Sequence, residues 1–149
     1  MDVARIGFIG VGGVAGGHLN YLSKFEDAEL VAMCDINPEQ LAKRAEAFGV
    51  EDTYADYRDM LNKADLDAVY VCVPPFAHGT IEEDVVATGT PLFVEKPVHL
   101  DMEPAIKKYE TIRDSGVMNA VGYCVRYLDT IIPLKERLAD HKVEMALGY

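Results

Sequence analysis

Short apolar runs alternate with segments of helical spacing along almost the whole chain. Val3 to Ile9 is short, mostly apolar, rich in β-branched residues and closed by Gly10, which predicts a buried first strand. Val14, His18, Leu22 and Phe25 then recur at helical spacing, and Ala28 to Cys34 supplies a second apolar run ended by Asp35. Asn37, Pro38 and Gln40 read as a helix start, with Asn37 as N-cap, Pro38 at the first helical position and Gln40 placed for a capping box. Leu41, Ala45 and Phe48 give that helix one apolar face, and Gly49 stops it.

The alternation continues. A short strand is expected at Thr53 and Tyr54, a brief helix capped by Asp56 through Met60 and Leu61, and a strand from Ala68 to Val73 cut off by Pro74 and Pro75. Ile81, Val85 and Thr88 mark a helix ended by Gly89, and Pro91 to Val94 a fifth strand. Asp101 caps a helix with Ile106, Tyr109 and Ile112 on one face and Gly116 at its end, and Met118 to Val125 reads as a sixth strand. Runs apolar on both faces belong to parallel strands covered by helices, so the fold class is α/β, a doubly wound parallel sheet. Residues 1–124 form this domain. From Tyr127 the pattern changes: Ile131, Leu134 and Leu138 predict one more helix, and Val143 to Tyr149 a strand with no sheet of its own to join. Residues 125–149 are therefore expected to be a junction and the first elements of a truncated second domain.

Composition narrows the chemistry. With 149 residues, half of them hydrophobic, the chain suits one globular core. A formal charge of -11 argues against nucleic acid or an anionic membrane as partner, because such binding needs Lys and Arg to replace counterions. Cys34, Cys72 and Cys124 lie in apolar runs and form no C-x-x-C pair, so buried reduced thiols are expected, with no metal site. Neither a secretory signal nor a membrane-length apolar run is visible, which leads to a cytoplasmic expectation.

Three stretches carry candidate chemistry. Gly10-Val11-Gly12-Gly13-Val14-Ala15 stands where the first strand turns into a helix. Gly10 permits the tight turn, Gly12 lets backbone approach a pyrophosphate, and Ala15 takes the third small position of the dinucleotide fingerprint. The first amides of the helix, at Gly13 and Val14, would face the anionic oxygens. Asp35, with Ile36 beside it, stands at the offset of about 20 residues expected for a carboxylate on the adenosine ribose. A carboxylate accepts from both ribose hydroxyls and repels a 2'-phosphate, and no Arg follows it, so NAD is preferred over NADP. Glu95-Lys96-Pro97 ends the fifth strand on the edge where parallel sheets bind ligands, where the Lys96 amine could polarise or deprotonate a hydroxyl and Glu95 position it. Taken alone, this tripeptide reads more readily as a surface Glu-Lys pair before a loop. His78, after Pro74 and Pro75, either donates to a cofactor phosphate or ribose or merely begins a helix. His18 reads as a satisfied core histidine, and His99 and His141 carry no signal.

Together, the glycine loop with His18, Asp35, the Asp67-Ala68-Val69 run leading to Pro74, Pro75 and His78, and Glu95-Lys96-Pro97 resemble the glucose-fructose oxidoreductase, inositol dehydrogenase and rhizopine catabolism family, Gfo/Idh/MocA. The resemblance spans residues 3 to about 127. It implies a Rossmann domain binding NAD(H) or NADP(H), followed by an α/β domain carrying substrate contacts and an oligomer interface. It implies hydride transfer between nicotinamide and a hydroxyl-bearing carbon of a sugar, cyclitol or similar small molecule. By position, Lys96 would be the catalytic lysine, Glu95 and Pro97 would shape the nicotinamide end, and Val73, Pro74, Pro75 and His78 would line the cofactor groove. Arg126 would stand at the domain junction facing the cofactor. The family's acid and histidine partners for the lysine lie in the second domain, beyond Tyr149, so the chain alone is expected to be inactive, and a homo-oligomer, a dimer through the C-terminal segment, is a further expectation. Two rival readings stay open: an NAD-dependent glycoside hydrolase of the same superfamily, and a non-catalytic NAD-binding or scaffolding domain.

Overall fold

The computed structural model describes residues 3–142. Its first five strands are β1 (Ala4–Ile9), β2 (Ala28–Cys34), β3 (Asp52–Tyr54), β4 (Ala68–Val71) and β5 (Leu92–Val94), followed by β6 (Asn119–Val121). Helices α1 (Gly13–Leu22), α2 (Pro38–Phe48), α3 (Tyr57–Lys63), α4 (Ile81–Ala87) and α5 (Met102–Ser115) connect them, and α6 (Ile131–Leu138) follows the last strand. The strands form one sheet in the order β3-β2-β1-β4-β5-β6. All five pairings are parallel. This is the doubly wound Rossmann order, with its switch point between β1 and β4, where ligands of such sheets bind.

Both faces are covered because successive strand residues point to opposite sides. Phe8, Met33 and Cys72 pack with Leu19 of α1 and Leu41 and Ala45 of α2 on one face. Ile9, Cys34, Val69, Val71 and Val94 pack with Met60 of α3 and Val85 and Val86 of α4 on the other. Each buried Val, Leu, Ile, Phe or Met side chain among them contributes about 1.5–3 kcal/mol relative to exposure. Asn37 caps α2 as its sequence predicts, accepting from the Glu39 and Gln40 amides, and Gly49 ends the helix with φ 68°.

Several local expectations change. Gln40 does not close a capping box: its side chain donates to the Val11 carbonyl at 3.0 Å. Asp101 is the N-cap of α5 without a side-chain bond. The inward face of α5 runs through Ala105, Lys108 and Ile112, while Ile106 and Tyr109 are exposed. The apolar spacing misplaced that face because Lys108 is held inside by acidic partners on α4. The sixth strand is limited to Asn119–Val121, and the α1 helix stops at Leu22, before Phe25. The expected strand at Val143 to Tyr149 lies outside the described residues.

Cys34 and Cys72 are buried, but Cys124 is exposed in a 3-10 turn, Cys124–Tyr127, rather than in a strand. Burial pushes both Cys34 and Cys72 up to about 12, with Asp35 adding to the first and Glu95 to the second. Iodoacetamide at pH 8 should therefore alkylate Cys124 rapidly, while Cys34 and Cys72 react only after denaturation, since the thiolate is the nucleophile. Peptide mass mapping that found equal labelling at all three would contradict this packing.

Candidate functional site: a dinucleotide groove

The strand register aligns the ends of five strands. Cys34, Ile9, Val71, Val94 and Val121 lie side by side. The residues that follow them continue the row: Gly10 N donates to Cys34 O, Cys72 N to Ile9 O, Glu95 N to Val71 O and Gly122 N to Val94 O, at 2.8–2.9 Å. Asp35, the glycine loop, the Val73–Pro75 segment and Lys96 are thereby delivered to one sheet edge by backbone hydrogen bonding alone.

The glycine loop has a different demand at each position. Gly10 has φ 82°, and a Cβ there would lie 2.9 Å from the Cys72 carbonyl carbon and 3.0 Å from Val73 Cγ1. A Cβ on Gly12 would meet nothing within 4 Å. The space above Gly12 is thus unclaimed by protein, as a close phosphate approach requires. Gly12 is the N-cap of α1 and has no side-chain capping bond, so the first amides of the helix are left for a ligand. Ala15 is fully buried against the sheet, and Val14 is exposed.

Asp35 is held at both carboxylate oxygens. Its Oδ2 accepts from Val11 N and its Oδ1 from Asn37 N, both at 2.9 Å. The carboxylate is therefore fixed between the glycine loop and the start of α2, and each oxygen retains a lone pair for a hydroxyl. Ile36 is 90% exposed beside it.

At the other end of the row, Glu95 is enclosed. Its Oε1 meets His18 Nε2 at 2.8 Å, its Oε2 accepts from Lys96 N at 3.1 Å, and it fills the space that a Cβ on Gly122 would need. His18 lies over an aromatic row formed in register by Phe8, Tyr70 and Phe93, edge-on to Phe93 at 5.0 Å. It is satisfied, as expected, but partly exposed and joined to the site. Burial pushes the Tyr70 hydroxyl up from its ordinary range, aided by Cys72. The Lys96–Pro97 peptide is cis. Lys96 is exposed and, with Gly122, Tyr123, Cys124, Val125, Arg126 and Ile131, lines a hollow of about 370 Å³. Arg126 shares this hollow with Lys96, its guanidinium 5.7 Å from the Tyr127 ring centre.

His78 departs from its expected place. Val73 and Pro75 are half-buried and Pro74 exposed at the groove, but His78 is 1% exposed and turned inward. Its Nδ1 bonds to Glu82 Oε1, and Glu82 Oε2 accepts from Lys108 Nζ at 2.6 Å. Lys108 also reaches Glu83 and the Gly79 carbonyl. His78 therefore anchors the turn after β4 instead of offering its ring to the groove. For Glu82, burial alone raises the pKa, but the hydrogen bonds from His78 and Lys108 outweigh it and hold the carboxyl below its usual range.

Sequence reasoning missed His18, Gln40 and Arg44 as site residues. Arg44 Nε donates to Val11 O at 3.2 Å and Nη2 to Gly12 O at 3.4 Å. The one available signal was the i, i+4 spacing of Gln40 and Arg44, which places both on one face of α2. Among the described residues, no group of His, Cys, Asp or Glu is placed to hold a metal ion, and no helix is long and apolar enough to cross a membrane.

Comparison with known proteins agrees with this geometry. The model of the Gfo/Idh/MocA oxidoreductase family, NAD-binding Rossmann fold, matches residues 4–123. Myo-inositol 2-dehydrogenase of Thermotoga maritima is 29% identical over 136 residues, covering 91% of this chain and 41% of the relative. A glycosyl hydrolase family 109 protein of Shewanella woodyi is 33% identical over 113 residues, covering 69% of this chain and 24% of the relative. The scyllo-inositol dehydrogenase of Lactobacillus casei, solved with NAD(H) and scyllo-inositol, superposes with a TM-score of 0.83 at 28% identity, over 93% of this chain and 41% of that one. The chain thus spans about two fifths of the length of the inositol dehydrogenases it matches. It belongs to the Gfo/Idh/MocA oxidoreductase family, of which it is the NAD-binding Rossmann domain.

Proposed function

We propose that this chain is the cofactor-binding part of an NAD-dependent dehydrogenase acting on a hydroxyl-bearing carbon of a sugar, cyclitol or related small molecule. The observation that carries the reading is the single row of strand ends that puts Asp35, the glycine loop and Lys96 along one edge. Gly12, Gly13, Val14 and Ala15 would hold the pyrophosphate through backbone, Asp35 with Ile36 the adenosine ribose, and Val73, Pro74 and Pro75 the wall of the groove. Glu95, Pro97 and Arg126 would bound the nicotinamide end. NAD supplies a hydride acceptor when bound. Lys96, acting through its neutral amine, would accept the substrate hydroxyl proton at Nζ, and Glu95, held by His18 and the Lys96 amide, would fix the backbone from which Lys96 projects. The remaining wall of the substrate pocket would come from a second domain, so this 149-residue chain alone should bind NAD without turning over substrate. Residues 125–149 would open that domain, and the exposed β6 edge would favour a homo-oligomer. Unpaired cysteines fit a reducing compartment such as the cytoplasm.

The Asp35 carboxylate favours NAD over NADP because a 2'-phosphate placed against it would be repelled. Titration calorimetry should show NAD binding at least about tenfold more tightly than NADP, and Asp35→Ala should narrow that ratio while weakening NAD itself. Equal affinities in the parent chain would remove the assignment. The glycosyl hydrolase relative keeps a second reading in view. Accumulation of an oxidised, uncleaved product by the full-length protein would exclude it; release of aglycone without net NADH would favour it.

A further inference from the structure

We propose that Arg44, with Gln40, is a positioning residue that aims the Gly12 and Gly13 amides at the cofactor's pyrophosphate by gripping the glycine loop from behind. The inference rests on the dinucleotide reading above and adds residues of α2 that the fingerprint does not include. Three contacts converge: Gln40 Nε2 on Val11 O at 3.0 Å, Arg44 Nε on the same oxygen at 3.2 Å, and Arg44 Nη2 on Gly12 O at 3.4 Å. In a trans peptide the carbonyl of one residue and the N–H of the next point in opposite directions. A Val11 carbonyl held toward α2 therefore turns the Gly12 N–H away from α2, while the Gly12 carbonyl, which accepts from Gly16 N at 3.3 Å as well as from Arg44, fixes the Gly13 N–H in the direction opposite to its own. Asp35 completes the clamp by accepting from Val11 N, which leaves Val11 itself fixed at both its amide and its carbonyl.

Gly16 supplies independent support. It is buried, and a Cβ on it would lie 2.8 Å from Arg44 Nη2 and 3.2 Å from Arg44 Cζ. The absent side chain makes the seat for the guanidinium. An open loop would otherwise sample several peptide orientations, and ordering it on binding costs affinity. Donors fixed before the ligand arrives avoid that cost.

The test separates this role from general stabilisation. Gly16→Ala should displace the flexible Arg44 head without moving backbone, and alanine favours the helix interior over glycine. Its melting temperature should equal or exceed the parent's while its affinity for ADP, measured by calorimetry, falls about fivefold. Arg44→Met should weaken ADP about tenfold, in the range of a lost charge-assisted hydrogen bond. Adenosine, which lacks the phosphates, should bind both variants within about twofold of the parent in competition experiments. ADP affinities unchanged in both folded variants would overturn the proposal, as would equal weakening of ADP and adenosine. Should Arg44→Met not fold, Gly16→Ala decides alone. Failure of the parent chain to bind ADP would instead refute the dinucleotide reading, and with it this inference.

Discussion

Gly10→Ala is expected to destabilise the domain by about 2–5 kcal/mol, whereas Gly12→Ala should leave stability nearly unchanged and still abolish tight NAD binding. The left-handed backbone at Gly10, φ 82°, costs an L-residue about 1–2 kcal/mol. A methyl at 2.9 Å from the Cys72 carbonyl carbon adds overpacking of about 1–3 kcal/mol against rigid backbone. For a domain of this size each kcal/mol lowers the melting temperature by a few degrees, so a drop of roughly 10 °C should be visible by calorimetry. Gly12 has φ -69°, which alanine adopts freely, and open space where its Cβ would go. The same methyl that the fold ignores would stand between the backbone and a phosphate. Two glycines two residues apart should thus separate folding from binding. A Gly12→Ala chain that melts normally and binds NAD as the parent does would show that the pyrophosphate does not approach this backbone.

Lys108→Met should destabilise the domain by about 3–5 kcal/mol, because it strands a buried charge. Glu82 is wholly buried and shares its oxygens between His78 and Lys108. Removing the ammonium leaves the carboxylate with the histidine alone. Pairing the substitution with Glu82→Leu should recover most of the loss, since a buried ion pair contributes little net stability over a well-packed apolar pair. The urea midpoints of the parent, both single variants and the double variant measure this coupling; additive losses would contradict it. The pH dependence has a definite sign. Glu82 is held below its usual range, so its contribution is fully present above the unfolded carboxyl value of about 4.3 and disappears as pH falls through the folded value. Acidification below about pH 4.5 should therefore lower the parent's midpoint more steeply than that of the double variant. The linkage bears on the site as well, because the cluster ties α5 and α4 to the turn that follows β4 at the groove.

The fold was largely legible because its signals are local. Apolar runs of strand length, alternating with capped helices, leave little choice but a covered parallel sheet, and the Asn37 cap and the Gly49 stop formed as their residue types demand. The glycine loop, Asp35 and Lys96 were also legible, since each sits immediately after a strand and strand ends share an edge. His78 and the inward face of α5 were not. Periodicity counts apolar side chains, and Lys108 becomes an inward residue only because Glu82 and Glu83, 25 or more positions away in sequence, neutralise it. Arg44 escaped notice for the same reason: its partners are backbone carbonyls more than 30 residues earlier, and a carbonyl leaves no mark in a sequence.

By itself the sequence determined the order of elements, the parallel sheet and the glycine loop between β1 and α1, because hydrophobic period, helix caps and glycine conformations act over a few residues. Only the tertiary structure decided which polar groups meet. His18 on Glu95, Lys108 on Glu82 and Arg44 on the glycine loop are contacts between elements far apart in sequence, and these partners turn each from an ordinary polar residue into a fixed part of the groove or its support.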